Sequence, residues 1–216
     1  MAMLEQPLKF FVVFFVVVEP VSLIPLFSRL TQGASAAYKR RMAVKAVVVA
    51  AGILLLFALG GAAFLTLMGI SLEAFRIFGG LLLFLLALEM VFARESGTRT
   101  SSDEQAESRR RADISVFPLA FPFIAGPGAL ATILLWFGPI NIASQTALFL
   151  GLSVGVALVL VISMVMMWLA DPLMRVIGVT GANVAGRLLG VVLGALAVQF
   201  VIDGLRNTFA GGPHGG

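Results

Sequence analysis

The sequence predicts an all-α, polytopic membrane protein with six transmembrane helices. Its 216 residues are 60% hydrophobic and only 12% charged, with a mean hydropathy of +1.05, whereas a soluble domain has about 25% charged residues. Six apolar segments are long enough to cross a hydrocarbon core of about 30 Å, which takes roughly 20 helical residues. None alternates apolar and polar residues with period two, so barrel strands are not expected.

The six predicted spans are 8–30, 42–68, 71–92, 115–137, 145–169 and 184–206. Between the third and fourth lies the segment 93–114, which carries five arginines and five acidic residues. That composition is typical of a solvated linker. The Gly-rich end of the chain, 207–216, is expected to be a flexible tail.

The basic residues predict the orientation. Twelve of the fifteen Lys and Arg residues lie nearer the side that holds the loops after spans one, three and five. The positive-inside rule places that side, with linker 93–114, in the cytoplasm and both termini outside. This bias also accounts for the net charge of +4 and the pI near 10.3, so no nucleic-acid partner is expected.

The chain contains signs of an internal repeat. Spans one and four are both interrupted near their middles by proline, at Pro20 and Pro127. The halves 1–92 and 115–206 each contain three spans, an odd number, so the second half would be inverted in the membrane relative to the first. Inverted repeats with paired broken helices are typical of secondary transporters. The alternative is chance similarity between helices rich in Gly and Pro.

The breaks predict a site near mid-membrane. Proline in a helix removes one backbone donor, and lipid does not satisfy the groups that are left unpaired. Pro20 and Pro127 are expected in the first turn of the half-helix that follows each break. That half-helix begins with free N–H groups and a partial positive charge, which favour an anion or a carboxylate. Glycine lets a ligand approach the backbone, and nearby hydroxyls add hydrogen bonds. The candidate pathway residues are Glu19, Pro20, Ser22, Pro25, Gly126, Pro127, Gly128 and Thr132.

Glu19 is the strongest single candidate, because it is an acid inside an otherwise apolar span. An ionisable residue within the membrane is by default a functional hypothesis. It would couple transport to a proton or cation, or contact a substrate ammonium group. The alternative is a structural carboxylate that caps the N–H groups of the next half-helix.

Four polar residues in spans three and six are secondary candidates. Arg76 and Arg187 occupy repeat-related positions, although the first could pair with Glu73 at the interface and the second could extend to water. Gln199 and Asp203 lie one turn apart on one helix face, where gating and simple solvation are both open.

Rare residue types limit the chemistry. The chain has no cysteine, and its one histidine, His214, lies in the tail. We therefore expect no metal site, no cofactor and no enzymatic activity. Glycine runs at spacing four, Gly186-Gly190-Gly194 and Gly151-Gly155, predict close helix packing within the chain, or alternatively a homodimer face.

At these residues the chain resembles the MarC family of bacterial integral membrane proteins, also called UPF0056. The resemblance covers about residues 4–207, and its most specific part is the A-G-P-G-A-L-A-T sequence at 125–132. Further matches are the segments 19–27, 75–90 and 187–205. Family members usually carry Asn where this chain has Glu19, a departure that points to altered coupling or substrate.

The resemblance implies a multi-pass transporter of the bacterial inner membrane, similar in span count to the LysE-like exporters, with small neutral amino acids as a substrate class. The chemistry of the breaks suits a zwitterion, since half-helix ends would hold its carboxylate and Glu19 its ammonium. The hypothesis is alternating access between spans one and four. A passive channel and a non-transporting membrane assembly or stress factor are the alternatives.

Overall fold

The computed structural model describes residues 2–92 and 113–210, and within these ranges all regular structure is helical. The elements are α1 Ala2–Val18, α2 Leu23–Leu30, α3 Ala36–Leu67, α4 Leu72–Phe92, α5 Ser115–Ile124, α6 Pro127–Phe137, α7 Thr146–Trp168 and α8 Ala170–Ala210. The predicted all-α class is confirmed.

The helices provide four continuous spans and two broken ones. The continuous spans are α3, α4, α7 and the part of α8 over Thr180–Phe209. Two further spans form if each bent pair counts as one: α1 with α2, bent by 41°, and α5 with α6, bent by 56°. The breaks fall in the first and fourth predicted spans, as expected from their prolines. The protein is therefore a multi-pass membrane protein.

The outer surface of the bundle is apolar. On the long helices, Leu56 is 69% exposed, Val154 58% and Val191 62%. Side chains of this kind are suited to contact with lipid tails rather than water. The outer surface of the protein is accordingly in contact with the lipid bilayer.

Helix α5 is irregular along its length. Phe117 and Phe121 have extended backbone angles, and each precedes a cis proline. The N–H of Leu119 donates to the carbonyl of Ile114 at 3.3 Å, five residues back rather than four. A wide turn of this kind leaves some backbone N–H and C=O groups without the hydrogen bonds of a regular α-helix. The surrounding helices must therefore shield those groups from lipid.

Glycines allow α4 and α8 to pack closely. A Cβ atom added at Gly190 would lie 2.7 Å from Met90 Cβ, and one added at Gly80 would lie 2.8 Å from the carbonyl oxygen of Ala197. Gly155 on α7 meets the Phe10 ring of α1 in the same way, at 3.1 Å. These contacts confirm close packing within the chain at Gly155 and Gly190.

The pairing of helices agrees with the predicted repeat. Helix α1 packs on α7 as α5 packs on α3, and α2 packs on α8 as α6 packs on α4. The contact of α2 with α7 likewise corresponds to that of α6 with α3. Exchanging the two halves maps each of these contacts onto another of the set, while α4 and α8 pack on each other. Such a pattern is expected of halves related by a two-fold axis. The inverted repeat remains a prediction that this packing supports.

Two ion pairs connect α3 to the second half of the chain. Lys39 Nζ donates to Asp171 Oδ2 at 2.6 Å, and Lys45 Nζ donates to Asp113 Oδ2. Ser28 Oγ also donates to Asp171, at 3.4 Å. Both pairs lie on the side that the basic residues predict to be cytoplasmic.

The predicted linker and tail are described only at their ends. Residues 93–112 and 211–216 lie outside the described part, so the prediction of a linker and a flexible tail largely falls there. The last linker residue, Ile114, is 1% exposed and belongs to the core. Helix α8 continues to Ala210, so the start of the predicted tail is helical. A Gly178 φ of 64° interrupts α8 near its beginning.

Candidate functional site

The first break depends on the backbone of Glu19. This residue follows the end of α1 at Val18 and has a φ of 58°, the left-handed conformation that commonly ends a helix. Its N–H donates to the Phe15 carbonyl at 2.9 Å, and its own carbonyl accepts from the Ser22 N–H at 3.0 Å. The chain thus makes one turn and restarts as α2 at Leu23.

Pro20 does not have the role expected from the sequence. It was expected in the first turn of the second half-helix, but α2 begins three residues later, and Pro25 occupies that first turn instead. The reason is that Glu19 ends α1 in the left-handed conformation, so Pro20 falls in the connecting turn, where it is buried. The same expectation is confirmed for Pro127, the first residue of α6.

The Glu19 carboxylate lies inside the protein. The residue is 3% exposed, and Ser22 Oγ donates a hydrogen bond to Glu19 Oε1 at 2.5 Å. This carboxylate points to Gly186 of α8, where an added Cβ would be 3.6 Å from Glu19 Oε1 and 4.0 Å from Ser22 Oγ. The first break is therefore built by α1, α2 and α8 together.

Gly186 is a site residue that sequence reasoning missed. It belongs to the glycine run on span six, which predicts only close packing. Its neighbours in that run, Gly190 and Gly194, do pack against α4, whereas Gly186 meets the polar pair at the first break. The one signal in the sequence is its place as the first glycine of the run, one turn before Gly190, where α8 could contact a helix other than α4.

The second break is formed by Gly126. The preceding Ala125 N–H donates to the Ala120 carbonyl at 2.8 Å, and Gly126 is extended with φ −76° and ψ 175°. A Cβ added to Gly126 would lie 2.1 Å from the Pro122 carbonyl oxygen. Real Cβ atoms do not approach a backbone oxygen so closely, so this turn requires glycine.

Free amide groups follow the second break. The first backbone bond into α6 runs from the Leu130 N–H to the Gly126 carbonyl, at 2.9 Å. The N–H groups of Gly128 and Ala129 precede it and have no carbonyl partner within α6, as at every helix N-terminus. Such amides, with the positive end of the helix dipole, are suited to a carboxylate or another small anion.

These amides adjoin a cavity of about 60 Å³. It lies between the second break, the end of α1 and the middle of α4, and is lined by Val17, Leu82, Leu86, Pro122, Phe123, Gly126, Pro127, Gly128 and Ala129. The walls are mostly apolar, and the volume holds only a few water molecules. The second break therefore adjoins a small, mostly apolar cavity.

The two interrupted spans are in contact at this cavity. A Cβ at Gly128 would lie 3.4 Å from Val17 Cγ1 of α1 and 2.8 Å from Leu83 Cδ2 of α4. Val17 is two residues before Glu19, so the wall of the cavity continues directly into the first break. The structure thus brings the first and fourth spans together, as expected from their paired breaks, and α4 packs against them at this point.

Other candidate residues lie off the cavity wall. Glu19, Ser22 and Pro25 are not among the lining residues, so the two breaks form adjacent subsites rather than a single pocket. Thr132 is fully buried, and its hydroxyl donates to the Gly128 carbonyl at 2.9 Å within its own helix.

The secondary candidates are also outside the cavity. Gln199 Nε2 donates to Asp203 Oδ1 at 2.8 Å, which confirms that the two share a face of α8. Arg187 is exposed and Arg76 half-buried. Within residues 2–92 and 113–210, no ion pair joins Arg76 to Glu73.

Comparison with known proteins agrees with this architecture. The model of the family described as "MarC family integral membrane protein" matches residues 4–209. The UPF0056 membrane protein YhcE of Escherichia coli is 34% identical over 203 residues, which cover 94% of this chain and 93% of that protein. A UPF0056 membrane protein of Aquifex aeolicus is 36% identical over 200 residues, 92% of each chain. UPF0056 membrane protein YvbG of Bacillus subtilis is 34% identical over 201 residues, 92% of this chain and 93% of the relative.

No solved structure matches the chain. The family model and the relatives nevertheless span both broken helices and all four continuous ones. The chain therefore belongs to the MarC family of integral membrane proteins.

Proposed function

We propose that the protein is a secondary transporter that moves a small zwitterionic solute, such as a small neutral amino acid, by alternating access. One observation carries the proposal: two broken spans meet, with a buried carboxylate at one break and free helix amides beside a cavity at the other. Broken helices that meet inside the membrane are typical of secondary transporters. We propose no enzymatic role and no cofactor.

The two subsites have opposite electrostatic character. The N–H groups of Gly128 and Ala129 favour a solute carboxylate, while Glu19 favours an ammonium group or a proton. Val17 lies between them, at the end of α1. A small zwitterion that spans both subsites would satisfy each with one end, which a simple anion would not do.

The ion pairs on α3 supply a gate for this cycle. Lys39 with Asp171 and Lys45 with Asp113 tie α3 to the start of α8 and to the segment before α5. Exposed ion pairs are worth about 0–1 kcal/mol each, so they can hold a face closed and still open reversibly. We propose that they close the cytoplasmic face in the form described by the structure.

Glu19 supports coupling to a proton. A buried acid that becomes neutral can alternate between the two faces at lower cost than a buried charge. Its hydrogen bond from Ser22 and its position beside α8 place it where helix movement would change its surroundings. The proposed driving force is therefore the proton gradient.

Counterflow in proteoliposomes tests the function. Vesicles with the purified protein are loaded with one unlabelled amino acid from a small neutral panel, and uptake of the labelled form is followed. Saturable uptake that requires the internal solute is expected of a carrier. Flux that never saturates would indicate a channel, and no flux with any panel member would favour a non-transporting membrane factor; either result rejects the proposal.

A further inference from the structure

A basic groove runs along the outer face of α3, outside the proposed transport site. It is a shallow, widely open and mostly apolar groove on one helix, lined by the side chains of Arg40, Arg41, Val44, Lys45 and Val48. These residues form two rows at spacing four, so their side chains lie on one stripe of the helix. The stripe begins with the arginines and ends with valine.

The upper part of the groove is cationic. Arg40 and Arg41 are exposed, and neither takes part in an ion pair within residues 2–92 and 113–210. Lys45 pairs with Asp113, so one of the three charges is already compensated. Two guanidinium groups therefore remain at the head of the groove, and guanidinium binds phosphate oxygens in a bidentate manner.

The lower part of the groove is apolar. Val44 is 40% exposed and Val48 is 63% exposed. Val48 follows Arg40 by eight residues, which corresponds to about 12 Å along a helix axis. A distance of this size separates the lipid headgroups from the acyl chains. The groove therefore offers charge at the headgroup level and apolar contact at the level of the acyl chains.

We infer that this groove binds an anionic phospholipid. The headgroup phosphate would lie on Arg40 and Arg41, and an acyl chain would follow Val44 and Val48. Free phosphate would leave the valines bare, and an acidic peptide segment would satisfy the arginines without covering the apolar rows. Basic grooves beside membrane helices on the cytoplasmic side are suited to anionic headgroups, and α3 presents this groove on the side predicted to be cytoplasmic.

Native mass spectrometry of the full chain in detergent tests the inference. Four probes are added to wild type: phosphatidylglycerol, phosphatidylcholine, glycerol phosphate and inorganic phosphate. Retention of phosphatidylglycerol alone is expected. Equal retention of phosphatidylcholine would show lipid binding without charge recognition, and equal binding of glycerol phosphate or phosphate would show an anion site only; each overturns the inference.

The double variant R40Q/R41Q locates the site. A basic residue that contacts an anionic headgroup contributes about fivefold in affinity, so loss of both contacts is expected to lower phosphatidylglycerol retention about 25-fold. The control R29Q/R175Q removes two exposed arginines from the same predicted side and is expected to retain the lipid as wild type does. Equal losses in the two variants would indicate general surface charge and would contradict a defined groove. The comparison of the four probes on wild type tests the inference even if a variant does not fold.

Discussion

Ser22 Oγ donates a hydrogen bond of 2.5 Å to Glu19 Oε1 across the break between α1 and α2. Both residues face Gly186 of α8, so the bond orients the carboxylate toward another helix. Hydrogen bonds in which a hydroxyl donates to an ionised carboxylate are short and strong. This pair is the polar centre of the first break, and the function proposed for the chain depends on it.

Replacing Glu19 by Gln is expected to separate coupling from transport. The amide keeps the volume but takes up no proton, so a pH gradient would no longer drive accumulation in proteoliposomes. Counterflow is expected to continue but to need more solute for half-saturation, because the amide oxygen accepts from the solute ammonium without the help of a charge. The matched control is Glu5→Gln, which removes an exposed α1 acid paired with Lys9. Gradient-driven accumulation in Glu19→Gln at the wild-type level would exclude Glu19 as the coupling group.

Side-chain size at Gly186 should control access to the first break. An added Cβ would be 3.6 Å from Glu19 Oε1, an ordinary contact, so Gly186→Ala is expected to keep the counterflow rate within about twofold. Gly186→Leu would place its bulk against the carboxylate and the Ser22 hydroxyl, with an expected loss of about tenfold or more.

The control for this pair is Gly52→Leu. Nothing lies within 4 Å of a Cβ at Gly52, so that variant is expected to transport normally. If Gly186→Leu transports as fast as wild type, Gly186 does not belong to the site.

Gly126→Ala is expected to destabilise the second break. Its Cβ would lie 2.1 Å from the Pro122 carbonyl oxygen, so the backbone would have to move. Overpacking of this kind costs about 1–3 kcal/mol, which should appear as a lower melting temperature in detergent. Gly52→Ala, at an open helix position, is expected to cause no such loss. A melting temperature unchanged in Gly126→Ala would show that the turn does not require glycine.

The ion pair at Asp113 predicts a pH dependence. Hydrogen bonds from Lys45 and then from Ser115 lower the pKa of this carboxyl from its ordinary 3.8 to about 2. A lowered pKa in the folded state stabilises the protein above the ordinary pKa, and this contribution is lost as the pH falls through the folded value. Because the pair is exposed, its contribution is below about 1 kcal/mol.

The measurement is the melting temperature of wild type and Asp113→Asn across pH. Wild type should melt slightly higher at pH 6, and the difference should shrink from about pH 4 and disappear only below about pH 2. A difference that stays constant over this range would mean that Asp113 does not act through its charge.

Much of the fold was predictable because membrane spans are set by length and hydropathy. The apolar runs located every span, and Pro20 and Pro127 located the two breaks within a few residues. The start of α2 could not be predicted, because a proline is compatible with both a first helical turn and the turn before it. The left-handed Glu19 decides between them, and that conformation leaves no pattern in the sequence.

Contacts between distant residues were not predictable from one sequence. Lys39 and Asp171 are separated by 132 positions, and nothing in the spacing indicates their ion pair. Gly186 shares its glycine run with packing residues, so its contact with Glu19 emerges only when α8 is placed against α2. Periodicity reports which face of a helix is apolar, but not which helix covers it.

The most direct test of the account is a cross-link between the two broken spans. The chain has no natural cysteine, so Val17→Cys with Gly128→Cys introduces the only thiols. The Gly128 Cβ position is 3.4 Å from Val17 Cγ1, within reach of a disulfide or a short bifunctional reagent. A protease site placed in linker 93–112 allows the halves to be separated on a non-reducing gel, and Val17→Cys with Gly52→Cys serves as the control pair. The account predicts that only the Val17–Gly128 pair keeps the cleaved halves together; both thiols reacting singly without joining the halves would contradict it.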